Sequence, residues 1–156
     1  MKDKIMILGA GLMQKPTILA AKELGYQTVV ADGNPNAICA SLADCFVHID
    51  LKDKEKLADF AKKINSSEDG SQLAAVFTAG TDFSASVSYA AEKLNLPAHS
   101  FNAALNASIK PRMRECFKKA GVPSPVFYSL CGEEISEEKV HFITEALGYP
   151  CVVKPA

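Results

Sequence analysis

The sequence predicts an α/β fold, an open parallel sheet with helices on both of its faces. Three observations predict it. Short apolar, β-rich runs alternate four times with stretches of helical periodicity between Lys4 and Leu94, the pattern of a parallel sheet wound with right-handed crossovers. Glycine, proline, asparagine and aspartate punctuate the junctions between runs. The composition is that of an ordinary globular chain: 156 residues, 48% hydrophobic and 22% charged.

Lys4–Leu8 is a short buried strand entering the tight turn Gly9-Ala10-Gly11. Helix follows from about Lys15 to Leu24, with Pro16 tolerated in its first turn and Gly25 stopping it. Gln27–Ala31 is the second strand, closed by Asp32-Gly33-Asn34-Pro35, and Cys45–Ile49 is the third. Leu57, Phe60, Ala61 and Ile64 fall at i, i+3, i+4 and i+7 of an amphipathic helix. After the polar loop Asn65–Ser71, Leu73–Thr78 is the fourth strand, ending at Ala79-Gly80-Thr81-Asp82, and Phe83, Val87, Ala90 and Leu94 mark the next helix face.

The pattern then changes. A short helix spans about Asn102–Ser108, and a second runs from Pro111 to Ala120 with Gly121 as its stop. Val122-Pro123-Ser124-Pro125 is an extended linker. A strand at Val126–Leu130, a helix from about Ser136 to Leu147 and a last strand at Cys151–Lys154 complete the expectation. The domain boundary falls near residue 110, giving segments 1–110 and 111–156. One helix with two strands is too little for an independent second domain, so the chain reads as part of something longer.

Composition excludes several classes. Basic and acidic residues nearly cancel, at 17 and 18 for a net charge of −1, without the basic excess of a nucleic-acid binder. No apolar run is long enough to span a bilayer and the N-terminus carries no signal sequence, so a cytoplasmic location is expected. Five cysteines without a C-x-x-C pair, and three scattered histidines, support neither a disulfide framework nor a zinc site.

Ligands of an open parallel sheet bind beyond the carboxyl ends of its strands. Three loops lie there: Gly9 to Gln14, Asp32 to Pro35, and Gly80 to Asp82. The first gives G-x-G, and Asp32 follows about twenty residues on, as a ribose-binding acid does in a dinucleotide fold. The sixth position is Gln14, however, where that motif needs a small residue for close helix–strand packing. A tight turn without ligand, ordinary turn chemistry at Asp32, and helix capping by Thr81 or Asp82 are equally open. Lys154 ends an apolar run, where an ammonium needs an anion or carboxylate partner. Lys110 reads, from spacing alone, as a solvated lysine.

Five stretches together resemble the N-terminal portion of the ATP-grasp ligases: KIMILGAG (Lys4–Gly11), VVADGNPNAICASLADCFVHID (Val29–Asp50), FTAGTDFSA (Phe77–Ala85), SIKPRMRECFKKAGVPSPVF (Ser108–Phe127) and GYPCVVKPA (Gly148–Ala156). The resemblance covers most of the chain in the family's order. It implies a Rossmann-like pre-ATP-grasp domain to about residue 110, followed by the first elements of the ATP-binding domain. It implies that Lys110 and Lys154 contact ATP phosphates, reversing the solvated reading of Lys110. It also implies that Gly9, Gly11, Leu12, Asp32, Asn34, Thr81 and Asp82 face or lie near a small-molecule carboxylate substrate. The implied reaction phosphorylates a carboxylate with ATP and Mg2+, and an amine or thiol then displaces phosphate; the metal-binding acids would lie beyond Ala156, so the fragment would be inactive. A homodimer is a family-level expectation. Asp82 is the only acid where several relatives carry a glutamate, and the glycine loop lacks an extra glycine or acid, so an amino acid, a purine precursor and bicarbonate all remain open as substrate. Two other readings stand beside this one: an NAD(P)-binding domain of an oxidoreductase, and a non-catalytic metabolite-binding domain.

Overall fold

In a computed structural model the structure describes residues 3–66 and 70–154; the middle of the expected Asn65–Ser71 loop lies outside them. The chain divides into two compact units, Met1–Ser108 and Ile109–Ala156.

The first unit is built on four strands, β1 (Lys4–Leu8), β2 (Gln27–Asp32), β3 (Cys45–His48) and β4 (Leu73–Thr78). All pairings are parallel and the order is β3-β2-β1-β4, so the expected open parallel sheet is the one that forms. Helices α1 (Lys15–Glu23), α2 (Lys54–Asn65) and α3 (Ser84–Lys93) alternate with the strands, and α4 (Phe101–Ser108) closes the unit. Between β2 and β3 there is no α-helix, only a 3-10 turn at Ala40–Leu42.

Successive side chains of a strand face opposite ways, and β1 therefore supplies two cores. Met6 and Leu8 pack with Leu57, Ala58 and Ala61 of α2, Val76 of β4 and Ala90 of α3. Ile5 and Ile7 face the other way, toward Ile18 and Ala21 of α1, Val30 of β2 and the buried Cys39. Asp53 caps α2, its Oδ1 accepting from the Lys56 N–H at 3.1 Å.

This arrangement fixes where a ligand can sit. β1 leads into α1 on one face of the sheet, whereas the adjacent β4 leads into α3 on the other. Their following loops therefore diverge at the carboxyl edge and open a crevice, the topological switch point of such a sheet.

The second unit holds α5 (Lys110–Lys119) and α6 (Glu137–Leu147), with a 3-10 turn at Gly132–Glu134. Ser136 caps α6 through its hydroxyl, which accepts from the Lys139 N–H at 3.1 Å. The strands expected at Val126–Leu130 and Cys151–Lys154 do not form: both stretches are irregular. The physical reason is that a strand exists through its ladder, and among the described residues neither stretch has one to join. Val152 and Val153 are accordingly 80% and 93% exposed, and Lys154 is exposed with them.

Candidate functional site

A cleft of about 320 Å³ opens at the switch point, walled by Gly9, Gly11 and Gln14 after β1, Asp32 at the end of β2 with Gly33 and Asn34 following it, Asp50 and Leu51 after β3, and Thr81 and Phe83 after β4. Each strand thus sends its carboxyl-end loop to one place. Of the residues expected from sequence, Gly9, Gly11, Asp32, Asn34 and Thr81 are brought together in this wall. Leu12 is not in it; its side chain is largely exposed. Asp82 is not in the wall either. Its Oδ1 accepts from the hydroxyls of Ser84, at 3.4 Å, and Ser108, at 3.0 Å. Neither Thr81 nor Asp82 caps α3, whose N-cap is Phe83 without a side-chain bond. Lys110 opens α5 and Lys154 follows α6, both exposed in the second unit.

The glycine loop is tied down by side chains. Gly9 takes φ +104°, and a Cβ there would stand 3.1 Å from Cγ and Cδ of Gln14, so only glycine fits both the backbone and the space. Gly9 N–H donates to the Ala31 carbonyl at 2.8 Å. Ala10 N–H donates to Oδ2 of Asp32 at 2.6 Å, and the other oxygen of that carboxylate accepts from Asn34 N–H at 2.7 Å. Asp32 therefore holds the first loop to its own turn, the ordinary turn chemistry and the cross-loop tie being one arrangement. Asn34 in turn accepts from Asn36 N–H at 2.9 Å, and His48 Nε2 lies 2.9 Å from the Gly33 carbonyl.

By its place in the sequence Gln14 is a misfit to close helix–strand packing, and its structural part is larger than that. It is 5% exposed. Its Oε1 accepts from Gly11 N–H at 3.0 Å, and its Nε2 donates to the Ala79 carbonyl. One side chain thus spans the switch point, joining the loop after β1 to the loop after β4. Gly80, next to Ala79, has φ +65°, and a Cβ on it would come within 2.9 Å of Met13 Cβ. Asp50 and Phe83 also line the cleft without having been identified as site residues. Asp50 arrives because β3 runs parallel to β2, and no spacing rule for a known motif points to it.

The wall carries two carboxylates, two amides and a hydroxyl, with no lysine, arginine or histidine. Among the described residues no group of three or more histidine, cysteine, aspartate or glutamate side chains is placed to hold a metal ion.

A parallel α/β sheet with glycine-rich and acidic loops closing one cleft at its carboxyl edge is the architecture of the Rossmann-like class. Residues 1–67 match the ribonucleotide synthetase preATP-grasp domain. The chain is 28% identical over 156 residues to the formate-dependent phosphoribosylglycinamide formyltransferase of Bacillus subtilis, covering 97% of this chain and 37% of that one. Among solved structures it superposes on phosphoribosylglycinamide synthetase from Anaerococcus prevotii with a TM-score of 0.73 and 28% identity, over 96% of this chain and 36% of the other. It shares the fold of N5-carboxyaminoimidazole synthetase from Staphylococcus aureus, with a TM-score of 0.71 and 21% identity over 96% of this chain and 37% of that one. The chain therefore spans little more than a third of the length of these relatives.

Proposed function

We propose that this chain is the N-terminal part of an ATP-dependent ligase that activates a carboxylate as an acyl phosphate and transfers it to an amine or thiol. The observation that carries the reading is the alignment of nearly the whole chain with the opening third of such an enzyme, 97% of it against the Bacillus subtilis relative. In this reading segment 1–110 is the pre-ATP-grasp domain and 111–156 begins the ATP-binding domain. The cleft of Gly9, Gly11, Asp32, Asn34 and Thr81 takes the carboxylate-bearing substrate, with Leu12 and Asp82 adjoining it in sequence. Lys110 and Lys154 contact the phosphates of ATP, their ammonium groups offsetting the charge that phosphoryl transfer concentrates there. Magnesium accompanies the nucleotide in the intact protein, held by residues other than those described here.

All five cysteines are free thiols, and among the described residues no helix is long and apolar enough to cross a membrane. Both fit a cytoplasmic enzyme. The NAD(P) reading is opposed by Gln14, whose amide stands against the glycine loop.

The test is Lys154→Ala in the intact protein, measured by ATP titration and steady-state turnover. Nucleotide binding or turnover weakens, while the unfolding midpoint stays in place because the side chain is exposed. Unchanged ATP kinetics would remove Lys154 from the nucleotide site.

A further inference from the structure

Three consecutive backbone N–H groups of the glycine loop already have internal acceptors: Gly9 on the Ala31 carbonyl, Ala10 on the Asp32 carboxylate and Gly11 on Gln14 Oε1. In a dinucleotide-binding fold, free N–H groups of the corresponding loop and the helix after it receive a pyrophosphate. Here two of the three acceptors are side chains, and one of those is an anion. Gln14 holds its place from both ends, since Nε2 is committed to the Ala79 carbonyl and the residue is 95% buried by its 5% exposure.

We propose that Gln14 is the specificity-determining residue of the cleft. By occupying the Gly11 N–H and bridging the switch point, it closes the glycine loop to phosphate and pyrophosphate. The part of the substrate that enters the cleft is therefore uncharged or cationic, and its carboxylate points away from the loop. Asp32 and Asp50 in the same wall, with no basic side chain beside them, act in the same direction by repelling an anion. The inference rests on the reading of this cleft as the substrate site and names the kind of group it admits.

The consequence is read at individual amides. Uniformly 15N-labelled chain is titrated with sodium pyrophosphate, and separately with NADH, against sodium chloride of matched ionic strength. In the wild type, Gly9, Ala10 and Gly11 show no saturable shift. Gln14→Met keeps an unbranched side chain of similar length but frees the Gly11 N–H, and it gains saturable pyrophosphate binding at Gly11, about tenfold or more tighter than wild type. Gln14→Glu keeps an acceptor for Gly11 and adds a negative charge, and it gains nothing.

Saturable wild-type shifts at Gly9 to Gly11 would overturn the proposal, as would a folded Gln14→Met that gains no binding. The wild-type arm decides even where a variant does not fold. Failure of the ligase reading is separate: it appears in the ATP kinetics of the Lys154 variant, and phosphate bound at Lys110 or Lys154 shifts their amides while leaving Gly11 unmoved.

Discussion

The two units of this chain carry equally apolar stretches and treat them differently. In Met1–Ser108, Leu8, Val30, Leu57 and Val76 are buried between a four-stranded sheet and its flanking helices. In Ile109–Ala156, Ile143 is the only buried side chain among the described residues, while Val126, Phe142, Tyr149, Val152 and Val153 are exposed. Local order in that unit comes from short-range contacts, such as Tyr128 edge-on to Phe142 at 6.4 Å and Arg114 donating to Ser124 Oγ at 2.9 Å. Apolar sequence becomes core only where long-range pairing encloses it. A helix satisfies its own backbone, whereas a strand needs a neighbour, which is why α5 and α6 form in the second unit and the two expected strands do not.

The largest test of that contrast is a pair of truncations. Leu57 is fully buried between α2 and the sheet, and Leu57→Ala costs about 3 kcal/mol through lost burial and a residual cavity. Val153→Ser, at a more apolar-looking stretch of sequence, changes stability by no more than about 0.5 kcal/mol. Urea unfolding followed by far-ultraviolet circular dichroism measures both. A cost at Val153 comparable with that at Leu57 would mean that the second unit has a core of its own.

A smaller effect comes from two matched helix caps. Asp53 and Ser136 each accept one N–H at 3.1 Å, from Lys56 and Lys139 respectively. α2 is packed into the first core, so Asp53→Ala lowers the main thermal midpoint, by about 5 °C. α6 belongs to the second unit, where Ile143 is the only buried side chain among the described residues. Ser136→Ala therefore weakens α6 by about 1 kcal/mol and speeds amide exchange within it, while the main midpoint holds. A main transition displaced equally by both variants would contradict this expectation.

Most of the first unit was legible because local and long-range signals agree there. The runs Lys4–Leu8 and Leu73–Thr78 are strands with those bounds, since short apolar runs bounded by turn residues have few alternatives once four of them can pair. The runs at Val126–Leu130 and Cys151–Lys154 carry the same local signal, but pairing is a property of partners elsewhere in space. In the cleft, Gly9, Gly11 and Asp32 were legible through the spacing of a known motif. Gln14 was visible only as a departure from that motif. Its contact with Ala79 joins positions 65 residues apart, which no local pattern encodes. Asp50 is placed by the register of β3 on β2, in which Asp32 pairs with His48.

The smallest expected effect concerns charge, and it also separates the units. Asp44, just before β3, accepts from the backbone N–H and hydroxyl of Thr28 at 2.8 and 2.9 Å, and pairs with Lys22 at 2.9 Å. Burial pushes its carboxyl upward, but the Thr28 N–H, the Lys22 ammonium and the Thr28 hydroxyl together outweigh it and hold the group below its usual 3.8. A carboxyl depressed in the folded state stabilises it fully at pH values above the unfolded value, and that contribution is lost as pH falls through the folded one. Asp44→Asn therefore lowers the urea midpoint slightly at pH 7, and its difference from wild type shrinks below about pH 4. In the second unit the exposed pair His141–Glu145, at 3.3 Å, is solvent-screened, and Glu145→Gln leaves the main transition unchanged at every pH. A wild-type-minus-Asn difference that stays constant from pH 7 to pH 3 would show that Thr28 bonds which the amide fails to reproduce, rather than the charge, account for what Asp44 contributes to the sheet edge.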